Sequence, residues 1–83
     1  MKLIFIFLLV ASANAFAHCP NVPVCEMKAV DSMLSTTRLA GAELERVNRM
    51  RLEGQLLYDQ GRENEAARIL KEARKILKAA EDS

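Results

Sequence analysis

From Val30 to Tyr58 a set of mainly apolar and small residues recurs at alternating steps of three and four: Val30, Met33, Thr37, Ala40, Leu44, Val47, Arg51, Gly54 and Tyr58. A helix of 3.6 residues per turn lays such positions along one stripe, so the pattern predicts a single long helix through this region. Its start is open. Pro23 can occupy the first turn with Glu26 behind it, where a carboxylate meets the helix dipole. Hydroxyls between Ser32 and Thr37 compete for backbone hydrogen bonds and weaken the helix there, so Ser35 can instead cap a later start. The end is clearer: Asp59-Gln60-Gly61 reads as a C-terminal turn with Gly61 left-handed. A second helix follows from about Glu63 to Ala80, with Ala66, Leu70, Ala73, Leu77 and Ala80 on one stripe and Ile69 and Ile76 widening it. No period-two alternation appears, so no strand is expected. Because the connection near residues 59–62 is short, the two helices lie antiparallel. The expected fold is therefore all-α, an antiparallel two-helix hairpin over residues 31–83.

The stretch before the hairpin has a different texture. Lys2, the apolar run Leu3 to Val10 and the small-residue tail Ala11 to Ala17 have the layout of a secretory signal peptide over residues 1–17. The uncharged stretch is shorter than the ~20 residues a membrane-spanning helix needs. A retained anchor stays open as the alternative, and cleavage fits after Ala15 or after Ala17. Without Lys2, eleven basic residues face eleven acidic ones. That balance argues against nucleic acid and against a polybasic membrane-surface helix, both of which need a basic excess. A chain this short buries little core and commonly relies on a staple, a metal or a partner.

GQLLYDQGRENEAARILKEARKIL, residues 54–77, resembles the second half of the tetratricopeptide (TPR) pattern. Gly54 stands at that motif's first-helix glycine, Leu57 at its tyrosine and Gly61 at its turn. Ala66, Leu70 and Ala73 stand at the second helix's alanine, aromatic and alanine. The sequence departs from the pattern at Met50, Glu53 and Lys78, where the family has tryptophan, leucine and proline. The resemblance spans about residues 47–80, one repeat, and implies a protein-interaction module. A lone helix pair cannot bury its apolar face, and arrays need about three units. Pairing two hairpins into a four-helix bundle would solve the same problem. Met50, Leu52, Leu56, Leu57 and Tyr58 crowd the end of the first helix on more than one side, and they are the candidate partner-binding surface. Packing beneath a folded-back N-terminal segment is the competing explanation. Arg51, on the inward stripe, is expected to lay its stem along the core with the guanidinium outward, or to pair with an acid of helix two or a partner. Tyr58 is expected to plug the hairpin tip with its hydroxyl in water.

Residues 18–30 hold the sole histidine, His18, both cysteines and both prolines. An exported location favours oxidised thiols, and Cys19 and Cys25 allow one intramolecular pairing. Pro20 and Pro23 bend the segment and disfavour regular helix across it. The alternative is metal: a mature N-terminus at His18 would offer amine, imidazole and the Cys19 thiolate, and one at Phe16 would place a histidine third, as copper(II) or nickel(II) in a square plane prefers. No second histidine or acidic cluster completes a tetrahedral site. There is no nucleophile with a well-placed base and no Gly-rich phosphate loop, so the chain does not read as an enzyme. The expectation is a small exported helical interaction or structural protein, periplasmic or secreted, binding itself or another protein through the apolar hairpin face.

Overall fold

Helix propensity and the Ala/Leu stripe carry residues 63–82 into a helix, and the rest of the molecule is arranged around it. The computed structural model describes residues 19–82. Among them lie three helices and no strand: α1 (Val22–Leu34), α2 (Gly41–Asp59) and α3 (Glu63–Asp82). The protein is thus all-α, with α2 and α3 forming the expected hairpin. The leader reading for residues 1–17 lies outside the described residues. α3 packs against both α1 and α2, while those two meet each other sparingly. Its stripe of Ala66, Leu70, Ala73 and Leu77 is fully buried. Val30 of α1 and Val47 of α2 complete a core with Ala73 and Leu77, edged by Met33, Leu34, Leu39, Met50 and Ile76.

The hairpin is closed by local chemistry. Gly61 takes φ +81°, which costs a residue without a Cβ almost nothing. The Gly61 amide then donates to the Tyr58 carbonyl at 3.0 Å and the Arg62 amide to the Leu57 carbonyl at 2.9 Å. These are the two bonds of a Schellman ending, and they satisfy carbonyls the helix would leave bare. A few turns back, Gly54 lets the helices close up. A Cβ built there would sit 2.6 Å from both Cγ and Cδ2 of Leu70. Hydrogen alone fits.

The single long helix expected through residue 40 is instead two helices. α1 ends at Leu34, where Ser35 is the C-cap; its amide donates to the Asp31 carbonyl and its hydroxyl to the Ser32 carbonyl at 2.6 Å. Thr37 Oγ1 accepts from the Leu39 amide at 3.2 Å. Hydroxyls have captured backbone partners that a continuous helix would use, as their chemistry favours. Gly41 then turns with φ +60°, a conformation that admits glycine far more readily than other residues. The three-and-four spacing ran unbroken through this corner because Thr37 and Ala40 fell in phase with the stripe. Nor do the prolines exclude helix from the cysteine segment. Pro23 sits in the first turn of α1, where its missing N–H costs no bond.

Charge joins the layers at Arg51 and at Glu26. Arg51 of α2 holds Asp31 of α1 with two bonds, Nε to Oδ1 at 2.7 Å and Nη2 to Oδ2 at 3.0 Å. Glu26 of α1 is 7% exposed, with Oε1 3.2 Å from Arg74 Nε of α3. That distance makes an ion pair, yet the alignment leaves Oε1 without a hydrogen bond. Glu26 therefore answers α3 rather than the dipole of its own helix.

Two outcomes are expected in thermal melts. Gly54→Ala loses about 1–2 kcal/mol, because overpacking against Leu70 outweighs alanine's better helix propensity; a Leu70→Val background shrinks the loss, since the two sites share one contact. Arg74→Met destabilises more than Glu26→Met, because removing the cation leaves a buried carboxylate uncompensated, whereas removing the carboxylate leaves a half-exposed cation that water can solvate.

Candidate interaction surface and the capped disulfide

The start of α1 is held by one asparagine and one disulfide. Cys19 and Cys25 are bonded, with Cα atoms 5.3 Å apart. Between them Asn21 adopts extended backbone as the N-cap, and its Oδ1 accepts from the Val24 amide at 3.1 Å. Asparagine is among the best residues for that position because its carbonyl replaces a missing helical acceptor. The same side chain also reaches α2: Asn21 Nδ2 donates to the Tyr58 hydroxyl at 3.2 Å. Tyr58, expected to point its hydroxyl into water, is instead half-buried and joined to the N-cap of α1. The pattern alone gave no sign of this, because the two residues lie 37 positions apart.

The residues singled out for partner binding divide into two groups. Met50 packs against the core, and Leu57 and Tyr58 are half-buried. Leu52 and Leu56 are 65% and 60% exposed. One turn apart, they lie on the side of α2 turned away from Gly54 and Val47, as the helical period requires. Glu45, Asn48, Arg49 and Asp59 share that exposed side. Arg51, assigned to the inward stripe, is mostly covered, and it links α1 to α2 through Asp31. It continues along α2 to Gln55, which in turn donates to Asp59.

Elsewhere the surface offers little chemistry. Open grooves of about 620 and 580 Å³ follow the α1–α3 seam, the first beside Val22, Arg68 and Lys71, the second beside Met33, Lys75 and Lys78. Among the described residues no group of three or more His, Cys, Asp or Glu side chains could hold a metal. His18 lies outside the described residues, and the Cys19 sulfur is committed to the disulfide. No described helix is long and apolar enough to cross a membrane. No protein-family model, no curated protein and no solved structure matches the chain. The bonded cysteine pair fits an oxidising, extracytoplasmic compartment.

Reducing the disulfide is expected to cost about 2 kcal/mol on the loop-entropy estimate, read as a lower urea midpoint in the presence of reductant. Asn21→Ala should cost about 1 kcal/mol or more, because it removes cap and cross-link together. Tyr58→Phe removes only the cross-link and should cost less.

Proposed function

We propose that the protein is a small exported interaction or structural protein, periplasmic or secreted, which binds protein through the outer face of α2. The observation that supports this most is the exposure of Leu52 and Leu56 on the side of α2 that the fold leaves uncovered. Scattered exposed leucines are ordinary, but a pair one turn apart on the same helix presents a continuous apolar strip. The hairpin beneath supplies a rigid platform: Gly54 against Leu70 and the Schellman turn fix the direction of α2. The single TPR-like repeat suits the same role, and the close Gly54–Leu70 approach joins two of the positions that carry the likeness. The disulfide secures α1 against a core of modest size.

The test is a photo-crosslinking residue placed at position 52 in the native host. A covalent adduct is expected, and it should vanish when Leu56→Glu is added while circular dichroism remains unchanged. An adduct indifferent to Leu56→Glu, or no adduct from either position 52 or 56, would remove the proposal.

A further inference from the structure

Taking that outer face as a contact surface, we propose that its occupant is a second copy of this chain, docked antiparallel about a two-fold axis. Leu52 then packs against the partner's Leu56, and Arg49 comes level with the partner's Asp59.

The arrangement follows from spacing and charge. Arg49 precedes Leu52 by three positions, and Asp59 follows Leu56 by three. At 1.5 Å per residue each charge lies about 4.5 Å beyond its leucine, at opposite ends of the strip. Reversing one copy therefore sets a cation level with an anion twice, once at each end. A parallel pairing would instead place arginine beside arginine. All of these residues are exposed.

The charges also have capacity to spare. Among the described residues Arg49 makes no hydrogen bond or ion pair, unlike Arg51, Arg62 and Arg74. Asp59 accepts through Oδ1 from Gln55 at 3.1 Å, which leaves Oδ2 for an incoming guanidinium. A two-fold contact uses the same patch on both copies and closes on itself, so it ends at a dimer. Two leucines per copy cover less than the roughly 1,200 Å² of a specific stable interface. The dimer is accordingly weak, with half-association on the order of 0.1 mM.

Sedimentation equilibrium on the disulfide-bonded protein, purified as its host produces it, tests the arrangement across a concentration series. Self-association is expected for the natural chain. Arg49→Asp and Asp59→Arg should each weaken it by at least about tenfold, because like charges then face each other. Mixing the two variants should restore association, since each copy then carries the charge the other needs; circular dichroism confirms that both stay helical. A natural chain that is monomeric throughout, association that survives both reversals and Leu56→Glu, or a mixture no tighter than its components would overturn the dimer. If the position 52 crosslink in the host still joins another protein and depends on Leu56, the dimer fails while the contact surface stands. If no such crosslink forms either, both fail.

Discussion

The absence of one methyl group sets the geometry of this molecule. At Gly54 the backbone of α2 comes so near α3 that Leu70 occupies the place a side chain would take. Everything else on α3 is registered from that contact. With Leu70 seated on Gly54, Ala66 follows one turn nearer the hairpin tip, and two turns the other way Leu77 meets the core beside Val47. The alternation of small and large along α3, Ala66–Leu70–Ala73–Leu77, lets one helix serve two neighbours. Its small residues permit close backbones, and its leucines fill what remains. Such packing is intolerant of volume change, because protein interiors are as dense as molecular crystals.

α1 is attached by different means. It contributes Met27 and Val30 to the buried set, but much of its fastening is polar and lies at its margins. Asn21 reaches Tyr58, Asp31 reaches Arg51, and Glu26 reaches Arg74. The half-exposed Asp31–Arg51 pair contributes little by itself and serves mainly to fix where α1 lies, whereas Arg74 also compensates the buried Glu26 carboxylate. The result is a hairpin with an interdigitated core and a third helix that polar contacts position upon it. It also leaves the outer face of α2 uncovered, with Leu52 and Leu56 exposed there.

The hairpin was legible in the sequence because its determinants are local. Gly61 marks the turn, and the α3 stripe has one period and no competing signal. Gly54 stood on the inward stripe, where it has no side chain to hold the helices apart. What the sequence concealed was of two kinds. The corner at residues 35–40 was hidden because Thr37 and Ala40 happen to keep the helical phase, although the run of hydroxyls and Gly41 carried the contrary signal. The partners of Arg51, Tyr58 and Glu26 were hidden because each lies on another helix, and no periodicity encodes a contact across elements whose docking is unknown. The five-residue surface read from the sequence divided for the same reason: periodicity places residues around a helix, but only the fold decides which side of it is covered.

The closeness in sequence of Cys19 and Cys25 has a kinetic side. Contact between chain ends separated by about ten residues forms in tens of nanoseconds, long before helices dock. The two sulfurs can thus meet as soon as both leave whatever channel or ribosome delivers the chain, with the core still absent. Their pairing asks nothing of α3, the last helix to appear. A protein whose covalent clasp depends only on residues 19–25 can be oxidised before its helices dock, and α1 then enters the later stages with its first turn already confined.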